Sequence, residues 1–282
     1  MSTKEFLSSA AAQANVPLWC SPSSTEAQTL AKTFEYADPF PHLVLDGLFE
    51  QAFLKTIADE IHSLRSDHWV PHYTALQKKR ATDGMAGLPP QTARYFAFTN
   101  SSEFIFFLES ITGIHALMPD STLLGGGIHQ ANANGHFEIH VDFQTHPTTG
   151  FRNRVAVITY LNTDWTEADG GALELWNMEE NRAAVSILPL FGRTVIMGQS
   201  TIAAHGYPTA LPGERPRLAL IAYFYTQTSN PLHTAFNKTR YFRRPDMPLN
   251  RRVQIALRDI FPTPVVRSLR QLQSQLTHRR NK

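Results

Sequence analysis

Four residues in the second half of the chain have the types and spacing of a redox-metal site. His140 and Asp142 flank Val141, His205 follows 63 residues after Asp142, and Arg217 comes 12 residues later. Two imidazoles and one carboxylate can cover one face of an octahedral metal and leave the opposite positions open. That donor set suits non-haem Fe(II) and oxygen chemistry. A guanidinium offers a rigid planar fork to a carboxylate, so Arg217 suits an acidic cosubstrate such as 2-oxoglutarate.

These residues need strands to position them. In a strand, residues i and i+2 share a face. His140 and Asp142 then project together, Val141 turns away, and His205 arrives from a later strand. Other pairings among the twelve histidines fit less well. His136 and His140 would sit about 13 Å apart at ~3.3 Å per residue, and Pro147 with the turn residues after it places His146 in a loop. Arg215 is the rival anion anchor, but Pro216 follows it and puts it in a loop. In a strand reading Arg217, Ala219, Ile221 and Tyr223 line one face.

The surrounding pattern supplies such strands. From about Thr122 short β-rich runs alternate with turn residues: Leu123–Gln130, His136–Phe143, Val155–Leu161, Ala172–Trp176, Ala184–Leu188, Arg193–Met197 and Leu218–Thr226. Several short strands at this spacing predict a sandwich or jelly roll. Before them, 3–36 read as helical and irregular and His42–Leu45 as a short strand. Glu50–Leu64 has helical apolar spacing, Ser102–Thr112 reads as a helix with a serine start, and 70–92 read as a mobile loop. After Pro248 two helical faces follow, Val253/Ala256/Leu257/Ile260 and Val265/Val266/Leu269/Leu272/Leu276. The expected fold class is α+β with a mainly β core: a cupin-like double-stranded β-helix. It comprises a helical support over 1–120, a jelly-roll core over 121–228 and a basic helical extension over 229–282, forming one structural domain.

Composition narrows the class. The 282 residues are 42% hydrophobic and 18% charged, an ordinary globular balance. No apolar run approaches the ~18–20 residues of a membrane helix, and the first fifteen residues lack the apolar centre of a signal peptide. Cys20 is the single cysteine, so an internal disulfide is excluded and a reducing cytoplasm is the expected location. The net charge of +2 is uneven, because 237–282 hold twelve Lys/Arg against two Asp/Glu. Such a tail can meet nucleic acid or an anionic surface; the favoured reading is a helical pair whose polar face is basic.

Over about 100 residues the chain resembles the prolyl 4-hydroxylase-type Fe(II)/2-oxoglutarate dioxygenases, including bacterial members. The resemblance is carried by His140-Val141-Asp142, Tyr160-Leu161-Asn162-Thr163-Asp164-Trp165, Gly170-Gly171-Ala172-Leu173-Glu174-Leu175-Trp176, Pro189-Leu190-Phe191-Gly192-Arg193, His205-Gly206-Tyr207-Pro208 and Arg217-Leu218-Ala219 through Tyr223-Phe224-Tyr225-Thr226. It implies Fe(II) on His140, Asp142 and His205, and 2-oxoglutarate anchored by Arg217 and Tyr160. It further implies O2 as oxidant, release of succinate and CO2, and ascorbate as a supporting reductant. Where the family often has Ser two residues after the anchor Arg, this chain has Ala219. The carboxylate Asp142 predicts hydroxylation or a related oxidation rather than halogenation, for which related enzymes put a small residue in its place.

The substrate is less legible. By motif position His129, Gln130, Asn134, Glu174 and Trp176 are the candidates near the barrel mouth. Arg152, Arg154 and Arg193 read as surface or supporting cations. Lys78-Lys79-Arg80 reads as a solvated loop, with a lid over an acidic substrate as the alternative. The expected function is oxidation of an unactivated C–H bond in a small metabolite, amino acid or natural-product intermediate. The alternatives are a prolyl hydroxylase acting on a protein and a non-catalytic cupin-like metal or ligand binder.

Overall fold

The computed structural model describes residues 18–228 and 238–260. The helical expectation for 3–17 and the second tail helix near 265–276 lie outside the described residues. Among the described residues four helices, a short strand and a hairpin precede the remaining strands. Helix α1 (Ser24–Glu35) starts at a capping box in which Ser23 and Glu26 satisfy each other's main-chain N–H. Strand β1 (His42–Leu45) precedes α2 (Gln51–His62), whose Phe53, Leu54, Ile57, Ala58 and Ile61 form one buried stripe.

The structure departs from expectation over 70–92. Val70–Tyr73 (β2) and Gln77–Ala81 (β3) form a hairpin, turned by the Thr74 hydroxyl, which accepts from the Leu76 and Gln77 N–H groups. Helix α3 (Pro90–Thr99) then starts on Pro90, whose fixed φ suits a first helical turn. Helix α4 (Ser102–Thr112) runs from the Ser101 cap to left-handed Gly113.

The remaining strands are β4 (Met118–Pro119), β5 (Gly127–Ala131), β6 (His136–Val141), β7 (Arg152–Tyr160), β8 (Leu173–Asn177), β9 (Arg182–Ile187), β10 (Thr194–Gly198), β11 (His205–Tyr207), β12 (Arg217–Thr226) and β13 (Arg240–Tyr241), followed by helix α5 (Leu249–Ile260). They form one curled antiparallel sheet in the order β1-β10-β7-β12-β5-β3-β6-β11-β8-β9, a jelly-roll half-barrel. One half is β1-β10-β7-β12-β5 and the other β6-β11-β8-β9. Strand β3 joins them: Gln77 and Lys78 pair with β6, while Arg80 and Ala81 pair with β5.

Alternation on the strands sorts side chains into two layers. On β7, Val155 and Val157 face the helices with Leu54, Ile57 and Phe104. Ala156, Ile158 and Tyr160 face the barrel interior with Leu173, Leu175 and Val195. The helices thus stiffen the back of the larger half, and the interior stays free for a site.

Candidate active site

Three buried side chains of the β6-β11-β8-β9 half converge on the barrel interior. His140 is the last but one residue of β6, Asp142 follows it by two residues, and His205 opens β11 directly opposite His140 in the antiparallel register. His140 Nε2 lies 3.4 Å from Asp142 Oδ1, and His205 Nε2 lies 3.7 Å from Asp142 Oδ2. Donor atoms of all three fall within 4.8 Å of one another. Gly206 lets β11 come this close: a Cβ there would stand 2.7 Å from the Phe137 carbonyl oxygen.

Hydrogen bonds fix which imidazole atoms face inward. His140 Nδ1 is 2.8 Å from the Glu138 carbonyl oxygen, and His205 Nδ1 is 3.0 Å from that of Ala203. A carbonyl oxygen only accepts, so each Nδ1 carries the proton and each Nε2 turns a lone pair to the centre. Burial pushes His205 down to about 4 against the raising effect of Asp142, which keeps it neutral. Burial alone would raise the Asp142 carboxyl, but the facing His205 and His140 and the Tyr223 hydroxyl, donating at 3.0 Å, hold it well below the usual carboxylate range. Two imidazole Nε2 atoms and a carboxylate converge. The donor set fits a divalent cation of the Fe(II) type.

A second group waits behind the metal set. Arg217 at the start of β12 is buried against the Tyr207 ring, 4.1 Å from its centroid. Its Nε donates to the Gly171 carbonyl at 2.7 Å and its Nη2 to the Tyr160 hydroxyl at 3.3 Å. No carboxylate among the described residues forms an ion pair with it, although a buried guanidinium ordinarily has one. Its remaining N–H groups and the Tyr160 hydroxyl fit one end of a dicarboxylate such as 2-oxoglutarate. Left-handed Gly171 makes room, since a Cβ there would sit 2.9 Å from Arg217 Cδ. Arg215 instead ties down the 163–169 loop through Asp169 and the Thr163 and Asp164 carbonyls.

Of the mouth residues expected from sequence, His129 lines the pocket beside the metal set. Gln130 accepts from Arg80 and donates to Asn132, and Asn134 sits in an exposed turn. Glu174 accepts from the Trp176 indole at 2.8 Å. None of these four lines the pocket around the metal set or the cavity in front of it. On the same strand Leu173 faces in, so Glu174 must face out. Two further residues line the pocket: Tyr207, whose hydroxyl burial raises to about 12, and Lys79, which the sequence placed in a solvated loop or a lid. The cavity in front measures about 620 Å³ and reaches Asp142 past Lys79, His129 and Phe137.

Residues 126–225 match the family model described as the 2OG-Fe(II) oxygenase superfamily. No curated protein sequence matches the chain. Among solved structures, a Pseudomonas putida prolyl-4-hydroxylase is 14% identical, with a TM-score of 0.53 over 72% of this chain and 100% of the other. A Trichoplax adhaerens prolyl hydroxylase, solved with a hypoxia inducible factor peptide, is 15% identical, with a TM-score of 0.54 over 72% and 90%. A Burkholderia pseudomallei oxidoreductase of the 2OG-Fe(II) oxygenase family is 14% identical, with a TM-score of 0.53 over 79% and 99%. At these identities the likeness is one of fold.

Proposed function

We propose that the protein is an oxygenase of the kind whose family model residues 126–225 match, and that it hydroxylates an unactivated C–H bond of a small molecule. His140, Asp142 and His205 would hold Fe(II) through the two Nε2 atoms and a carboxylate oxygen. Arg217 and Tyr160 would take the distal carboxylate of 2-oxoglutarate. Bound together, iron and cosubstrate supply the oxidising power, consuming O2 and releasing succinate and CO2.

The chain's own residues do the rest. The Glu138 and Ala203 carbonyls keep the imidazoles in the binding tautomer. Tyr223 orients Asp142 by donating to Oδ2. Arg217, locked on Gly171 and Tyr207, fixes the cosubstrate's reach into the pocket. Apolar Ile158, Leu173 and Ile221 line that pocket and exclude water from its walls.

The observation that carries this reading is the buried Arg217, without an acidic partner among the described residues, behind a convergent His-Asp-His set. A non-catalytic binder has no use for a carboxylate anchor there. The small-molecule preference is supported by the cavity of about 620 Å³, within the usual range of ~300–1,000 Å³ for such ligands. The test is succinate formation from 2-oxoglutarate with Fe(II) and O2 during a screen of metabolites and proline-containing peptides. A metabolite whose oxidation matches succinate formation mole for mole supports the proposal. Stoichiometric oxidation of a peptide prolyl residue alone would replace it with the protein-substrate alternative.

A further inference from the structure

Among the described residues Lys79 is the one lysine or arginine lining the cavity of about 620 Å³, and it also lines the pocket around the metal set. Its position follows from topology. β3 leaves β6 after Lys78 and joins β5 at Arg80, so the residue between turns its side chain to the interior. Its two neighbours turn the other way: Lys78 donates to the Ala133 carbonyl, and Arg80 binds Gln130 and stacks on Trp69. Lys79 itself is 9% exposed.

Its ammonium is under-satisfied. Lys79 Nζ lies 3.0 Å from His129 Nδ1 and 4.1 Å from the Phe137 ring centroid. His129 Nε2 faces the Gly126 carbonyl at 3.1 Å. That nitrogen must donate, so Nδ1 is the acceptor and His129 is neutral beside the amine. No carboxylate forms an ion pair with Lys79 among the described residues. The cavity's two acids are Asp142, which belongs to the metal set, and Asp83, which is exposed. An ammonium has three donors, and burying it with one neutral acceptor is unfavourable unless an anion arrives. Burial, partly opposed by Asp142, brings Lys79 down to about 7, which agrees with the missing counter-ion.

We propose that Lys79 is the substrate's anchor: the molecule oxidised carries a carboxylate that sits on Lys79, with His129 holding the amine in place and the C–H bond turned toward the metal set. Among the described residues the cavity in front offers a single ammonium and no guanidinium, which matches a carboxylate monoanion better than a phosphate dianion, which takes several donors. This inference rests on the reading that Arg217 and Tyr160 take 2-oxoglutarate, because otherwise Lys79 would be free to hold the cosubstrate.

The test is made without turnover. Full-length protein is loaded anaerobically with Fe(II) and 2-oxoglutarate, and the visible charge-transfer band of the chelate is recorded. L-Amino acids, short-chain monocarboxylates and dicarboxylates, their primary amides and inorganic phosphate are then titrated in, and band shifts give their affinities. The expected result has three parts. A carboxylate shifts the band, and its amide binds at least tenfold more weakly. Lys79→Met loses at least tenfold affinity for that carboxylate while half-saturation by 2-oxoglutarate moves less than threefold. Lys79→Arg, which keeps the charge and controls for folding, retains most of the affinity. The proposal is overturned if no carboxylate shifts an otherwise normal band, if phosphate binds best, if Lys79→Met binds the carboxylate unchanged, or if Lys79→Met instead weakens 2-oxoglutarate tenfold. A wild type with no band at all refutes the cosubstrate reading first, and this inference with it.

Discussion

The carbonyl oxygen of Glu138 sits 2.8 Å from Nδ1 of His140, so the residue that orients one metal-facing imidazole is itself held by the C-terminal segment. The Glu138 carboxylate is fully buried and takes Arg244 at 3.1 Å together with Arg251. β13 adds to this by pairing Tyr241 with His140. Removing one partner of a buried ion pair costs about 3–5 kcal/mol, less here because a second arginine remains. Arg244→Met should therefore lower the thermal midpoint by several degrees and weaken metal affinity about tenfold, the scale seen for residues supporting a metal ligand. Differential scanning and chelator competition measure the two. Unchanged metal affinity in a destabilised variant would show that the tail braces the fold without tuning the site.

The Arg217 fork makes a second prediction. It is buried, aligned by Gly171 and Tyr207, and aimed at a carboxylate. Arg217→Met should raise the 2-oxoglutarate concentration for half-saturation about 30- to 100-fold, corresponding to ~2–3 kcal/mol for a charge-assisted contact. Metal affinity should stay within a few fold. Calorimetric titration of metal-loaded protein separates the two quantities, and an equal loss in both would place Arg217 in the structural support of the metal set.

Lys79 ties stability to pH in the metal-free protein. Its amine is brought to about 7 by burial, against 10.5 in an unfolded chain. Between these values the unfolded chain holds a proton that the folded one lacks, so stability rises with pH through that window. Below about 7 both states are protonated and the folded protein carries the full penalty. His129 and His72, which face Lys79, are lowered mainly by burial and next by Lys79, and stay neutral throughout. Lys79→Met should raise the melting temperature of metal-free protein by roughly 5 °C at pH 6 and by much less at pH 9.5. A gain independent of pH would mean that the substitution acts through packing alone.

Much of the architecture was legible because it rests on short-period patterns. The strand alternation that sets Val155 and Val157 against Ala156 and Ile158 is written in consecutive residues. So are the i, i+2 placement of His140 and Asp142 and the shared face of Arg217, Ala219, Ile221 and Tyr223. Alternation also explains the mouth residues. Adjacent His129 and Gln130 cannot face the same side of one strand, and the inward placement of Leu173 and Leu175 sends Glu174 and Trp176 outward. The β2–β3 hairpin was not legible. Gln77-Lys78-Lys79-Arg80 has no apolar alternation, and the place of β3 in the sheet is set by partners 48 to 60 residues away in sequence. The burial of Lys79 is a tertiary fact. Arg244, Arg251 and Arg252, which read as part of a basic tail, spend their donors on Glu138, Asp246 and main-chain carbonyls.

The central claim is that His140, Asp142 and His205 hold a metal to which 2-oxoglutarate, anchored by Arg217, binds directly. Anaerobic addition of Fe(II) and then 2-oxoglutarate tests it through the weak visible charge-transfer band of the chelate. The account predicts a band in the wild type, none in His140→Ala, and one that needs far more cosubstrate in Arg217→Met. Stoichiometric metal binding with no band on adding 2-oxoglutarate would contradict the account and favour a metal-binding protein without oxygenase chemistry.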